Sequence, residues 1–244
     1  MSISKQTDPN SQNIRMMWNS LSPYLIPPFS ASIAIIPVYF GLMSKTAKQL
    51  GAPLPIFNKQ VIINSFKAAP TAGAIVGTQM ITINLLEKRI EKESSNFKSI
   101  ALSTIITGLA SVPPYIIFQG QTMGKSALEI MKFYKFNINS LKQTGAIMAR
   151  ETSFLLAIRI SDLTGNLMQK LYGKNRAVEF GSTFASGFIA SVLGHPADTI
   201  LARLISGMQT KTLSQSMQGV MLRALSIGGF TVCYKVLKNN LEKI

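Results

Sequence analysis

A proline followed by an acid inside a long apolar stretch constrains the fold of this chain more than any other feature. Residues 180–205 are mostly apolar, yet they contain Pro196 and, two positions later, Asp198. Proline removes one backbone hydrogen bond of a helix and clashes with the preceding turn, so we expect a kink there. A carboxylate within a bilayer is costly unless it faces a protein partner or water. We therefore interpret this stretch as a kinked transmembrane helix whose acid faces the inside of a bundle.

Six apolar stretches of this kind run along the chain. They cover residues 21–43, 61–86, 100–119, 141–171, 180–205 and 217–237. Each is long enough to cross a bilayer as a tilted helix at about 1.5 Å per residue. Gly, Ser, Thr and Gln interrupt several of them, which suits helices that pack closely or line a wet cavity. The sequence predicts an all-α membrane protein with six transmembrane helices.

The proline recurs at a regular spacing of about eighty residues. Each of the three odd-numbered stretches contains a proline with an aromatic or acidic residue two positions later. The pairs are Pro37 and Tyr39, Pro113 and Tyr115, and Pro196 and Asp198. We expect a helix kink at each proline.

This repetition divides the chain into three helical hairpins. We place them at about residues 21–95, 96–176 and 177–244, after a polar N-terminal segment of residues 1–20. The joints between the apolar stretches hold much of the charge; Lys45, Lys48 and Lys59, for example, lie between the first and second stretches. Internal repeats around a central site are a recurrent transporter design.

Composition argues against a soluble protein. Hydrophobic residues make up 47% of the chain and charged residues only 14%, which is low for a soluble domain. The net charge is +15, but nucleic-acid binders cluster their Lys and Arg on one face. Here the basic residues lie mainly in short runs between apolar stretches, where lipid headgroups would be. We expect no nucleic-acid partner.

The residues most often used in catalytic and metal sites are scarce. Cys233 is the only cysteine and His195 the only histidine, so a disulfide framework or a Cys-based zinc site cannot form. His195 directly precedes a kink-forming proline, which favours a packed helical side chain over a metal ligand or a triad member. No Gly-rich phosphate loop is present. We predict no enzymatic activity, no cofactor and no metal.

Two motifs resemble those of the mitochondrial carrier family. The segment Gly194-His195-Pro196-Ala197-Asp198-Thr199, with Arg203 seven residues after the proline, is similar to the family pattern Pro-x-Asp/Glu-x-x-Lys/Arg-x-Lys/Arg, with Leu201 at the first basic position. Arg150-Glu151-Thr-Ser-Phe-Leu-Leu-Ala-Ile is similar to the even-helix pattern Arg-Glu-x-Pro-Phe-x-x-Ala-Ile. The resemblance implies a six-helix bundle with threefold pseudosymmetry. It also implies exchange of a metabolite across the mitochondrial inner membrane by alternating access.

In that family, acids and bases after the three prolines pair and close one end of the cavity. This chain has Tyr39, Tyr115 and Asp198 at the acid positions, and Leu42, Phe118 and Leu201 at the basic ones. The usual ring of ion pairs cannot form. We expect the three apolar residues to form a plug that blocks passage by dewetting. We expect the two tyrosines to donate hydrogen bonds to Asp198, and closure to depend little on salt.

Buried charges identify candidate substrate contacts. Lys67, Arg150, Glu151 and Arg223 are expected at comparable depths, with Lys67 the weakest candidate. Eleven positions return a helix to nearly the same face, so Asp162 should face the cavity with Glu151. An Arg beside a Glu can meet a carboxylate and an ammonium together. An amino-acid-like or carnitine-like zwitterion is therefore the expected substrate. The alternative is a carrier-fold protein that no longer transports and serves as a membrane scaffold or partner-binding subunit.

The expected partners follow from the same resemblance. They are a small-molecule substrate and the lipid bilayer, including an anionic lipid such as cardiolipin, around a monomeric protein. The expected location is the mitochondrial inner membrane, with another organelle or a host membrane as the alternative.

Overall fold

In a computed structural model of the protein, the described residues are 9–90, 97–133, 138–173, 175–209 and 212–243. Side chains are described for residues 17–86, 102–132, 140–153, 167–173, 175–209 and 212–243. Every regular element in these ranges is a helix, so the predicted all-α class is confirmed for this part of the chain.

Most of the helices follow the predicted apolar stretches. They are α1 (Pro9–Ala34), α2 (Tyr39–Leu50), α3 (Lys59–Ile90), α4 (Phe97–Ala110), α5 (Val112–Thr122), α6 (Ala127–Phe133), α7 (Ile138–Tyr172), α8 (Arg176–Leu193), α9 (His195–Ile205), α10 (Leu213–Ser216) and α11 (Val220–Leu241). Each odd-numbered stretch is a bent pair of helices, namely α1 with α2, α4 with α5, and α8 with α9. Each even-numbered stretch corresponds to one long helix, namely α3, α7 or α11. Two short helices, α6 and α10, lie between stretches.

The bends lie at the repeated prolines. The axes turn by 67° between α1 and α2 and by 55° at each of the other two bends. Pro37 lies in the turn between α1 and α2, whereas Pro113 and Pro196 stand in the first turn of α5 and α9. Proline is tolerated in a first turn because its missing N–H has no partner there in any case. Each proline therefore coincides with the start of a short second helix that runs in a new direction.

The long helices close into a ring. In order around it, α1 contacts α3, α3 contacts α4, α4 contacts α7, α7 contacts α8, α8 contacts α11, and α11 returns to α1. Small residues allow the close approaches, as at Gly73 of α3 against Pro28 of α1 and at Gly228 of α11 against Phe184 of α8. The short helices α2, α5 and α9 contact one another and extend inward from this ring.

Large apolar side chains are exposed while several charged ones are buried, a combination that is unusual for a soluble protein. Large apolar side chains are exposed on the outside, including Phe66, Leu85, Leu109 and Leu193. Length and composition qualify one helical segment among the described residues, Leu213–Leu241, to cross a membrane, or four spans if each bent pair counts as one. Six spans are therefore not shown by this criterion, since α3 and α7 do not meet it over the described residues.

The contact between α1 and α3 provides a test of the ring. A Cβ atom added at Gly73 would lie 2.7 Å from the backbone oxygen of Pro28, and a backbone atom cannot move away as a flexible side chain can. We expect Gly73→Ala to destabilise the protein by about 1–3 kcal/mol, the usual cost of overpacking. The measurement is the melting temperature in detergent micelles.

Gly181→Ala is the matched control. Among the described residues no atom lies within 4 Å of a Cβ at Gly181. This variant should gain up to about 1 kcal/mol from the better helix propensity of alanine. Equal melting temperatures for the two variants would show that α1 and α3 do not pack this closely.

Candidate functional site

Five charged side chains lie buried where the helices converge. We call them the charge cluster: Lys45 of α2, Arg150 and Glu151 of α7, Asp198 of α9, and Arg223 of α11. None of the five side chains is more than 8% exposed. Three cations and two acids give the cluster a net charge of +1. Buried charges at this density are normally paired or functional.

Asp198 is the centre of the cluster. Its Oδ2 accepts hydrogen bonds from Lys45 Nζ at 2.8 Å and from Gln49 Nε2 at 2.9 Å. The Nε of Arg150 lies 3.1 Å from Oδ1, and the Nε of Arg223 lies 3.8 Å from Oδ2. One carboxylate thus joins α2, α7, α9 and α11.

The bend explains why the acid is in this position. Because a new helix begins at His195, Asp198 falls in the first turn of α9. The partial positive charge at a helix N-terminus favours an acid there. Arg223 reaches the same bend from α11, where its Nη1 donates to the carbonyl of Ser191 at 2.6 Å. The bend between α8 and α9 therefore provides both the acid, Asp198, and the Ser191 carbonyl that accepts a hydrogen bond from Arg223.

Glu151 is held from the other side of the cavity. Gln79 of α3 donates from Nε2 to Glu151 Oε2 at 2.6 Å, and Arg150 Nη1 lies 3.7 Å from Oε1. The guanidinium carbon of Arg150 lies 3.9 Å from the centre of the Tyr115 ring, within the range of a cation–π contact. Arg150 is therefore shared between two acids and an aromatic face.

Some polar atoms of the cluster have no hydrogen-bond partner among the described residues. They are Nε and Nη1 of Arg150 and Oδ1 of Asp198, together with Oε1 of the neighbouring Gln49. Arg150 Nε and Asp198 Oδ1 are within ion-pair distance but do not meet the geometry of a hydrogen bond. Buried polar groups without partners are rare, and each calls for an explanation such as bound water, an ion or a functional role. The arrangement leaves hydrogen-bonding capacity on the cation and the acid that an incoming polar molecule could use.

A cavity of about 80 Å³ lies beside Arg150. Its walls include all of the charge cluster except Asp198, together with apolar residues of the short helices. Sites for small molecules usually enclose about 300–1,000 Å³. A metabolite would therefore require the cavity to widen. A separate open groove of about 900 Å³ lies outside the ring between α7, α9 and α10.

The three short helices close one end of this cavity. Tyr39 of α2 donates its hydroxyl to the Gln121 carbonyl of α5 at 2.8 Å, and the hydroxyl groups of Thr46 and Thr122 lie 3.0 Å apart. The rings of Tyr39 and Phe118 pack edge to face with centroids 6.5 Å apart. Polar and aromatic contacts thus join α2 to α5, as Asp198 joins α2 to α9.

The predicted gate residues meet here, but not all in the predicted way. Leu42, Phe118 and Leu201 are buried in one apolar cluster, as a plug requires. The expectation that Tyr39 donates to Asp198 is wrong, because its hydroxyl proton goes to Gln121. The same expectation for Tyr115 is wrong as well. Asp198 Oδ2 accepts from Lys45 and Gln49, and its Oδ1 has no hydrogen-bond partner among the described residues. Tyr115 contacts Arg150 through its ring face.

The expectation that ion pairing is unavailable at this end is also wrong. Lys45, which the sequence placed in a joint between stretches, belongs to α2 and pairs with Asp198. The pair is buried, so salt screens it much less than it would screen a surface pair. Weak dependence of closure on salt therefore remains expected, for a different reason.

The candidate substrate contacts separate into two groups. Arg150, Glu151 and Arg223 all line the cavity. Lys67 is exposed and lies outside the cluster, so its expected place at a comparable buried depth is wrong. The side chain of Asp162 lies outside the described residues, and its expected pairing in the cavity with Glu151 stays a prediction.

Four members of the site escaped the sequence reasoning. They are Lys45, Gln49, Gln79 and Thr199. A signal for two of them existed: positions three and four apart share one face of a helix, so Leu42, Lys45 and Gln49 point the same way. His195 is a packed side chain, with Nε2 2.8 Å from the Gln218 carbonyl. Among the described residues, no three His, Cys, Asp or Glu side chains lie close enough together to hold a metal ion.

Comparison with known proteins adds no relatives. No protein-family model, no curated protein and no solved structure matches this chain. The function is therefore inferred from the geometry of the charge cluster.

The charge balance of the cluster predicts an asymmetry between two substitutions. Lys45→Met leaves two cations facing two acids, whereas Asp198→Asn leaves three cations with Glu151 alone. Removing one partner of a buried pair typically costs about 3–5 kcal/mol. We expect that full cost for Asp198→Asn and a clearly smaller one for Lys45→Met, measured as melting temperatures in detergent micelles.

A surface pair provides the control. Lys235 Nζ lies 3.0 Å from Glu179 Oε1, with both side chains about one-third exposed. Such pairs contribute about 1 kcal/mol or less, so Glu179→Gln should change the melting temperature little. If Asp198→Asn is no more harmful than Glu179→Gln, Asp198 does not hold the cluster together.

Proposed function

We propose that the protein is a membrane transporter of the mitochondrial carrier type, which moves a small zwitterion through the centre of a six-helix bundle. The observation that carries this proposal is the charge cluster, buried within a closed ring of helices whose outer face is apolar. Soluble proteins seldom expose so much apolar surface while burying so many charges. In a bilayer, both features are favourable if the interior is hydrated or occupied by a ligand.

The alternation of bent and straight helices supports the carrier architecture. Three bent pairs and three long helices alternate around the ring, as three pseudo-repeats would require. The closed end formed by α2, α5 and α9 corresponds to one side of an alternating-access cycle. In this interpretation each bent pair is one span, and α3, α7 and α11 supply the other three.

The substrate class follows from the two neighbouring charges of α7. Arg150 can donate two parallel hydrogen bonds to a carboxylate, and Glu151 can accept from an ammonium or lie beside a quaternary amine. An amino-acid-like or carnitine-like molecule carries both groups. Arg223 adds a second cation on the same cavity.

The position of Arg150 suggests how substrate binding opens the closed end. Arg150 is one of three cations that hold Asp198. A substrate carboxylate that takes Arg150 competes with Asp198 for the same guanidinium. The closed end then loses one interhelical contact, while Lys45 and Arg223 still pair with Asp198. Substrate binding therefore favours opening, and the two remaining pairs allow the closed end to form again.

A second candidate function is a scaffold that no longer transports. The cavity of about 80 Å³ and the mutual pairing of all five charges favour it, because a paired cluster needs no ligand. In that case the cluster would serve only to fix the helices.

The proposed setting is the mitochondrial inner membrane, with the protein acting as a monomer surrounded by lipid. The basic residues at the ends of the helices suit anionic headgroups.

Uptake into proteoliposomes, screened across amino acids, carnitine-like compounds, carboxylates and nucleotides, tests the proposal. We expect uptake of a zwitterion. Arg150→Lys keeps the charge but loses the two-pronged donor, so it should lower uptake by about tenfold or more, since a lost charged hydrogen bond costs about 1.5–3 kcal/mol.

The matched control is Lys67→Ala, which removes an exposed cation outside the cluster and should leave uptake unchanged. Melting temperatures of both variants show whether they are folded. If the folded parent takes up no compound of any class, the scaffold is the better account. If folded Arg150→Lys transports as well as the parent, Arg150 is not a substrate contact.

A further inference from the structure

The connection between α2 and α3 is unusually apolar for a loop. Residues 51–58 join the two helices at the closed end of the bundle, and they expose three large apolar side chains. Ile56 is 80% exposed, Phe57 63% and Leu54 54%. Loops normally present polar residues at the surface, so this exposure indicates contact with something other than water.

The loop is held in place by defined contacts. Gly51 adopts a φ of 67°, a left-handed conformation that glycine accepts easily, and the N–H of Ala52 donates to the Ala47 carbonyl at 2.9 Å. The Phe57 ring packs edge to face on Phe40 of α2 at 5.4 Å. The side chain of Asn58 accepts from the N–H of Val61 at 3.1 Å and caps α3. Leu54 and Ile56 are thus presented outward by an anchored backbone.

The backbone of the loop is also suited to a poorly hydrated surrounding. Pro53 and Pro55 have no N–H to donate, and the N–H groups of Gly51 and Ala52 bond to carbonyls at the end of α2. Unpaired backbone donors are what make irregular segments costly in lipid. Four of the eight loop residues, Gly51, Ala52, Pro53 and Pro55, therefore have no unpaired backbone N–H.

Charge and continuity identify what covers the loop. Lys48 at the end of α2 and Lys59 at the start of α3 are exposed on either side of it. The apolar surface continues along α3 through Ile62 and Phe66, which are also exposed. Apolar side chains flanked by cations are the pattern of segments that lie in a membrane interface with anionic headgroups.

We propose that residues 53–57 form an interfacial anchor, which inserts Leu54 and Ile56 into the leaflet at the closed end while Lys48 and Lys59 bind anionic headgroups. The proposal rests on the membrane location given above but not on transport. Because the loop follows directly from α2, it ties the helix that carries Lys45 to the lipid.

The second repeat offers a matched contrast. After α5 the chain runs through Gly124, Lys125 and Ser126 before α6 begins, and these residues are polar or small and exposed. Ser126 and Glu129 cap each other at the start of α6. Residues 124–126 follow the corresponding bent pair but contain no large apolar side chain; the exposed Leu128 and Met131 belong to the following helix α6. Lys125 itself should therefore remain in water.

Site-directed spin labelling distinguishes the two loops. In a Cys233→Ser background, single cysteines replace Ile56, Lys125 and the outward-facing Leu109 of α4. The labelled proteins are reconstituted in vesicles of phosphatidylcholine mixed with phosphatidylglycerol. We expect the label at position 56 to collide with oxygen more often than the label at position 125. Its collisions with a water-soluble nickel chelate should be at least fivefold less frequent than those of the label at 125. In vesicles of phosphatidylcholine alone, the label at 56 should become more accessible to the chelate.

The label at position 109 separates failure of the anchor from failure of the membrane proposal. If 109 is shielded from the chelate but 56 is as accessible as 125, the anchor is wrong and the span stands. If 109 is also accessible, the membrane location itself is wrong. Spin–spin broadening between labels at 56, retained when the protein is diluted in lipid, would show that a second copy covers the loop and would overturn the lipid anchor.

Discussion

The position of a single carboxylate, Asp198, determines how the closed end of this bundle is built. It receives Lys45 from α2, Arg150 from α7 and Arg223 from α11. The bend at Pro196 places it in the first turn of α9, where the helix N-terminus favours an acid. A buried carboxylate with three cations gains Coulomb energy that an apolar contact cannot supply, but it also has to repay a large desolvation cost. The closure is therefore specific to one arrangement of helices.

The apolar exterior and the charged interior of the bundle are both explained by the proposed bilayer setting. In the bilayer setting proposed above there is no hydrophobic force between helices, so packing of small residues and interhelical polar contacts would hold them together. Gly73 against Pro28 and Gly228 against Phe184 supply the first kind of contact. The charge cluster and the bond from Gln79 to Glu151 supply the second. Neither kind requires an apolar core as large as that of a soluble protein of this length.

The sequence predicted the helices well because their lengths and prolines are local properties. Each predicted stretch corresponds to one long helix or one bent pair, and each bend lies at a repeated proline. Side-chain direction was harder to predict. On α3, the buried residues Val61, Ser65, Ala68 and Ala72 recur every three or four positions. Lys67 does not lie on that face, so its exposure could have been predicted from the periodicity of α3. Lys45 was missed because a lysine after an apolar stretch indicates a loop, and only the 67° bend turns α2 inward.

If a substrate binds Arg150 as proposed, the sharing of Arg150 with Asp198 makes substrate binding and closure compete rather than add. Arg150 Nε lies 3.1 Å from Asp198 Oδ1, and Arg150 Nη1 lies 3.7 Å from Glu151 Oε1. A ligand can shift a conformational equilibrium only by the difference between its affinities for the two states. A carboxylate that can bind Arg150 only after Asp198 has released it binds the open state more tightly than the closed state. A ligand that leaves the Arg150–Asp198 pair intact has equal affinity for both states and does not shift the equilibrium. Discrimination between substrates would then arise partly from which molecules can displace the protein's own acid, in addition to the shape of the cavity.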